Sequence, residues 1–268
     1  MLAEPLKPPI TTGPERKGRR WPRKVDLLGV QVSVTNYEEA TDMVIEAARQ
    51  REPALVACQA VHAVVTASCD PDLRDKLNGF DLVTPDGQPV RWAMNLLHGV
   101  GLVDRVYGPE LMLHLCRSAA DNAVSVYLYG GSPEVIELLR ERLPRLCPGL
   151  RIAGAESPPF RALSSTEDQA TVERINTSGA GLLFLGLGCP KQDLFAHAHR
   201  ESIRAVQVCV GAAFDFHAGV KPMAPAWMQR RGLEWLFRLA HEPRRLWKRY
   251  LVTNTIFLAK LFHVGFLR

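Results

Sequence analysis

Between residues 25 and 210 the chain alternates short apolar runs with longer helical stretches. The runs are apolar throughout instead of at every second position. A strand with water on one face alternates, whereas a strand apolar on both sides must be covered on both. The pattern therefore predicts an α/β fold, a parallel sheet with helices on both faces. Strands are expected at 54–58, 80–84, 124–129, 151–153, 181–187 and 206–210, with a strand or hairpin at 25–34. Helices are expected at 37–51, from about residue 62, after Gly87 through 97, and at 108–121, 133–146, 166–177 and 191–201. Asn36 and Ser132 are placed to cap helices, with Pro133 in the first turn behind Ser132. In such sheets ligands sit at the carboxyl ends of strands, so the informative residues are those just after each run.

Charge divides the chain into three parts. Residues 1–24 carry +5, residues 230–268 carry +7, and the body between them carries −7. The Pro-rich, aromatic-poor leader (1–24) has nothing to bury and reads as disordered. Residues 25–225 read as the α/β domain. Residues 226–268 read as an appendage on the sheet domain and not a second core, with helices at 227–240 and 244–266 broken at Glu242-Pro243. Here Trp235, Phe237, Trp247, Tyr250 and Phe257 interleave with Arg238, Arg244, Arg245 and Arg249, a composition suited to an interface with an anionic surface or a polyphosphate. No apolar signal segment precedes the body. The longest uncharged stretch, 53–69, is shorter than the ~20 residues a membrane span needs. A cytoplasmic protein held peripherally at the inner face of the membrane is expected. The six scattered cysteines show no zinc spacing and read as buried free thiols of a reducing compartment.

Four motifs could carry chemistry. Thr84-Pro85-Asp86-Gly87 ends a strand. Asp86 is either a turn residue bonded to its own backbone or a rigidly held general base. Tyr129-Gly130-Gly131-Ser132 follows a strand and opens a helix, which makes either a tight turn or an anion cradle. Gly186-Leu187-Gly188 has only half of a dinucleotide fingerprint, which argues against a standard NAD enzyme. Asp70-Pro71-Asp72 matches the D-x-D metal motif in form, but Asp-Pro within a helical region reads as a cap. With no other acidic cluster suited to a divalent cation, no metal and no cofactor are expected. His62 and His217 follow strand ends within reach of a ligand.

These segments together resemble the WecG/TagA/CpsF glycosyltransferases. The resemblance rests on Pro85-Asp86-Gly87, the run from Arg105 to Met112 containing Tyr107-Gly108-Pro109, Tyr129-Gly130-Gly131, Gly188-Cys189-Pro190-Lys191-Gln192 and Gly211 through Phe214-Asp215. It continues through Gly232-Leu233-Glu234-Trp235, Arg238-Leu239, and Glu242-Pro243 with Arg245 and Arg249-Tyr250. Residues 25–252 follow the family's order. The resemblance implies a Rossmann-like, metal-independent, inverting enzyme with a membrane-associating C-terminal appendage. It would move a hexose-type sugar from a UDP-sugar to a polyprenyl-diphosphate-linked acceptor in exopolysaccharide, capsule or wall-polymer synthesis. It implies Asp86 as the base. Tyr107, Gly108, Gly130, Gly131, Gly188, Lys191 and Gln192 would meet the donor, and Arg238, Arg245 and Arg249 the acceptor diphosphate. Three positions depart from the family pattern: Cys58-Gln59-Ala60 in place of Thr-x-Asn, Asp193 in place of Glu, and Met223 in place of Arg. The alternatives are another sugar-nucleotide enzyme, an epimerase or dehydrogenase, and an anionic-polymer-binding module. No nucleic-acid partner is expected, and a homo-oligomer stays open.

Overall fold

A computed structural model gives the structure of the 268-residue chain and describes residues 15–16 and 19–266, with side chains from 21 to 264. Residues 1–14 and 17–18 of the expected leader lie outside the described residues. Within it, β1 (Glu15–Arg16) and β2 (Arg19–Arg20) form an antiparallel pair. The folded body begins four residues earlier than the composition suggests, because Trp21 is buried against the core and Lys24 opens a strand. That strand, β3 (Lys24–Leu27), turns through Leu28-Gly29 into β4 (Val30–Ser33), so 25–34 is a hairpin.

The remaining strands are β5 (Leu55–Gln59), β6 (Leu82–Pro85), β7 (Val126–Gly130), β8 (Ile152–Glu156), β9 (Leu182–Gly186) and β10 (Val206–Cys209). They form one all-parallel sheet in the order β6-β5-β10-β9-β7-β8. Neighbouring residues along a strand point to opposite faces. Val56, Val126 and Phe184 enter one core, while Leu55, Tyr127 and Leu183 enter the other. Covering both faces is what lets every strand be apolar without alternation. Each such side chain contributes roughly 1.5–3 kcal/mol on burial.

The first core is covered by α1 (Tyr37–Arg49), α5 (Gly108–Asp121) and α6 (Pro133–Leu146). The second is covered by α2 (Val61–Cys69), α3 (Pro71–Asn78), α4 (Gln88–His98), α7 (Ser165–Thr177) and α8 (Lys191–Ala198). Asn36 and Ser132 cap α1 and α6 through side-chain oxygens that accept from Glu39 N and Val135 N. The helix expected from about residue 62 is followed by a second that starts at Asp70-Pro71, as the cap reading expects. Asp70 ends α2 and caps α3, accepting from Leu73 N at 3.1 Å, and Asp72 pairs with Lys76. The D-x-D segment is thus a helix start.

After α9 (Ala213–His217) come α10 (Ala226–Arg230), α11 (Glu234–His241) and α12 (Pro243–Phe266). The single helix expected at 227–240 is broken at Gly232. Its φ is +70°, and a Cβ there would stand 2.7 Å from the Trp92 ring. Close approach of α4 to this segment therefore requires glycine, which stops the helix. The C-terminal segment packs on the sheet domain. Phe257 is 3% exposed within the second core, Leu246 is buried, and Lys260 Nζ donates to Ser68 O at 3.0 Å, tying α12 to α2.

Candidate active site

Asp86 leaves the carboxyl end of β6. Its own amide donates to Gln59 O of neighbouring β5 at 3.3 Å, which fixes the backbone to the sheet. The following loop returns to the same strand end, Val106 N donating to Pro85 O at 2.9 Å and Thr84 Oγ1 to Val106 O at 3.2 Å. This brings the start of α5 over Asp86, and Gly108 N donates to Asp86 Oδ2 at 3.1 Å. A Cβ on Gly108 would lie 3.1 Å from that oxygen, so the helix approaches the carboxylate closely. The carboxylate is held by a neighbouring element, unlike a turn aspartate bonded to its own backbone.

A cavity of about 410 Å³ opens beside it, lined by the start of α2, by α4, by Arg105 and Tyr107, and by α11 and α12. Burial raises the Asp86 carboxyl to about 6, with Arg105 opposing the rise and Glu234 adding to it. Arg105 and Glu234 form a buried ion pair at 2.6 Å, and the Arg105 guanidinium also covers the Tyr107 ring at 4.1 Å. Its other arm donates to Gln229 Oε1 at 3.1 Å. Gln88 lines the same cavity. Its amide group donates to Asp104 at 3.0 Å, and its buried Oε1 has no partner among the described residues.

His62 also lines the cavity, but burial, then Arg249 and Arg238, lower it to about 4. A general base works best with a pKa near the operating pH, so Asp86 is the better base of the two. Asp215 lies elsewhere, paired with Lys221 Nζ at 2.7 Å, and His217 is buried with Nε2 2.8 Å from Pro109 O.

The cavity gathers Asp86, Tyr107 and Arg238 from the sequence-derived set, with Gly108 behind Asp86. The others lie apart from it. Gly131 N donates to Gly186 O at 3.2 Å, and Gly188 N to Gln192 Oε1 at 3.1 Å, so neither amide is open to an anion. Gly130 and Gly186 are neighbours in the β7–β9 register. A Cβ on Gly130 would meet Gly186 C at 2.5 Å, and one on Gly186 would meet the Phe214 ring at 2.4 Å. These glycines serve close packing of strand ends under Phe214. Gln192 is buried, and Lys191 is exposed at the start of α8. Arg245 pairs with Glu242, and Arg249 is exposed near His62 and Cys189.

The sequence offers Arg105 and Glu234 only as members of family-like motifs, without a role, and does not single out Gln88; the fold brings the three to one cavity. Asp193 stands in a place where its identity mattered little to the sequence pattern. It is buried beside β5 and β10 among Gln59, Cys189 and Cys209, and burial raises it to about 6. The cysteines are all unpaired. Cys116, Cys147 and Cys209 are buried as expected, but Cys69 is exposed. No group of three or more His, Cys, Asp or Glu side chains among the described residues is placed to hold a metal ion. No helix among them is long and apolar enough to cross a membrane.

Two comparisons bear on this site. Residues 25–267 match the family described as "Glycosyl transferase WecG/TagA/CpsF family". A relative from Bacillus spizizenii W23 is 33% identical over 189 residues, 70% of this chain and 70% of its own length. It is named N-acetylglucosaminyldiphosphoundecaprenol N-acetyl-beta-D-mannosaminyltransferase.

Proposed function

Because the chain belongs to the WecG/TagA/CpsF glycosyltransferase family, we propose that it transfers a hexose-type sugar from a UDP donor to a sugar carried on a polyprenyl diphosphate, with inversion. The observation that carries this reading is the Asp86 carboxylate, held by Gly108 N and facing a cavity that also presents Arg238. In a single displacement, an acceptor hydroxyl oxygen bonds to the donor's anomeric carbon as the bond from that carbon to the diphosphate oxygen breaks. Asp86 takes the hydroxyl proton, and UDP carries away the bonding electrons. Gln88 Oε1, without a partner among the described residues, is a ready acceptor for a sugar hydroxyl.

The nucleotide end of the donor would extend from Asp86 toward the carboxyl ends of β9 and β7, around Gly188, Gly130 and Gly131. With the amides of Gly131 and Gly188 committed elsewhere, charge neutralisation falls to Lys191. Gln192 would shape this loop through its bond to Gly188 N. Arg238, with Arg245 and Arg249 further along the same face of the chain, would meet the acceptor diphosphate. Tyr107 would stack near the reacting sugars beneath Arg105.

A screen of UDP-sugars with a short-chain polyprenyl-diphosphate sugar, read as free UDP, tests the reading. At least one donor should turn over, and on the proposed mechanism activity should survive EDTA. UDP release that vanished with chelator and returned with Mg²⁺ would overturn the metal-free mechanism.

The C-terminal helices would bring the enzyme to the inner face of the cell membrane. Supporting this are the +7 charge of residues 230–268 and the exposure of Trp247 (55%) and Leu251 (62%) on α12. Deleting α12 would also remove Phe257 from the core, so point substitutions are the cleaner test. Trp247→Glu combined with Leu251→Glu is expected to lower partition into anionic vesicles at least about tenfold with the circular dichroism spectrum unchanged. Undiminished co-sedimentation would count against this anchor.

A further inference from the structure

The chemistry described above uses only part of the cavity. Asp86, His62, Arg105, Glu234 and Arg238 make one region polar. The lining then changes character along both helices that wall it. On α4 it passes from Gln88 at the first turn to Trp92, Ala93 and Leu96. Leu96 is eight residues beyond Gln88, about 12 Å along the axis. On α12 it passes from Tyr250 and Asn254 to Phe257, Leu258 and Leu261, a stripe at helical spacing. Tyr250 belongs to the polar end, packed edge-on to Trp235 at 6.2 Å and held near Arg238. Both helices thus grade from polar to apolar away from Asp86.

The apolar region is open at its mouth, where Leu96 is 80% exposed, Leu258 65% and Trp92 44%. Its aliphatic part, Leu96, Leu258 and Leu261, offers no hydrogen-bonding group to a nucleotide or a sugar. An amphiphile with an anionic head and a hydrocarbon tail matches both regions in one pose. We propose that the groove between α4 and α12 is a subsite for the first isoprene units of the acceptor's own lipid chain. The groove holds the hydrocarbon while Arg238 meets the adjoining phosphate. It makes the protein read the lipid as well as the sugar. The subsite rests on the glycosyl-transfer reading given above for the identity of its occupant.

The test uses the full chain without membrane or detergent. Inorganic pyrophosphate, geranyl diphosphate and farnesyl diphosphate are titrated by calorimetry below their aggregation limits. Affinity should rise from pyrophosphate to geranyl and farnesyl diphosphate, the last binding at least 10-fold tighter than the first. Leu96→Asp with Leu258→Asp, both at exposed positions, should abolish that excess, while Arg238→Gln should weaken all three ligands. Equal affinities across the tail series in the unmodified protein would overturn the subsite without recourse to any variant. So would a tail-dependent excess that survives in the folded double variant, or a double variant that lost only vesicle binding. Failure of the transfer reading looks different: the tail series still rises, but no UDP-sugar turns over. Failure of the subsite alone leaves turnover intact, with an acceptor KM indifferent to tail length.

Discussion

Asp86→Asn is expected to lower turnover by about 10² to 10⁴, the usual worth of a general base, with donor affinity little changed. Asn retains the shape and can still accept the bond from Gly108 N through its carbonyl oxygen, so the α5 start should stay in place. Burial sets the carboxyl at about 6, so in the parent enzyme kcat/KM should fall as pH drops through about 6, where the base becomes protonated. The stability consequence runs the opposite way from that of a salt-bridged aspartate. The folded state binds this proton more tightly than the unfolded chain, whose carboxyl titrates near 3.8. Stability contributed by this group is therefore present below about 3.8 and is lost as pH rises to about 6. Above that, ionised Asp86 burdens the fold, and the Asn variant should melt at the same temperature as the parent or higher. Near-normal turnover of the variant at saturating acceptor would remove Asp86 from the chemistry.

Glu234→Gln should produce the largest structural effect and a diagnostic kinetic one. The Arg105–Glu234 pair joins the loop before α5 to the start of α11, with both side chains about one-tenth exposed. Breaking such a pair typically costs ~3–5 kcal/mol, because it strands the remaining charge in a dry place. For a domain of this size that corresponds to a Tm drop on the order of 10 °C. In addition, Arg105 loses its carboxylate partner and keeps Asp86 as its neighbouring anion. Two influences on Asp86 then change together: the raising effect of Glu234 disappears, and Arg105 acts on it without competition. The acid limb of the kcat/KM profile should move to lower pH. A loss of Tm with an unmoved acid limb would mean that the pair only fastens the two segments and does not tune the base.

The sheet was legible because its rule is local: a run apolar at successive positions must be covered on both sides, and Val56 and Leu55 meet that demand on opposite faces. Asp86 was legible as a position, since a carboxylate just beyond a strand end is held wherever the sheet places it. That its carboxylate is held by another element, and not by its own turn, appears only with Gly108 N, 22 residues away. The Arg105–Glu234 pair spans 129 residues and leaves no periodic trace. The glycines carry a related ambiguity. Gly130 and Gly131 look alike in sequence whether they border a ligand or admit a crowded neighbour, and the crowding appears only with the Gly186 and Phe214 contacts. The C-terminal helices looked like an attachment because their charge differs from that of the body. Phe257 within the second core, with Ile256 and Leu261 packed against it and Lys260 bonded to Ser68, joins them to the core.

The bond from Lys260 to Ser68 joins positions 192 residues apart. Synthesis proceeds from the amino end, and domains generally begin to fold as they emerge. Asp86 and its strand are therefore made long before the helix that walls its cavity. Until residues 243–266 are added, the cavity lacks the wall formed by Tyr250, Asn254, Phe257, Leu258 and Leu261. The wall that α12 gives the cavity is added only when that helix settles onto α2, after the strand that carries Asp86.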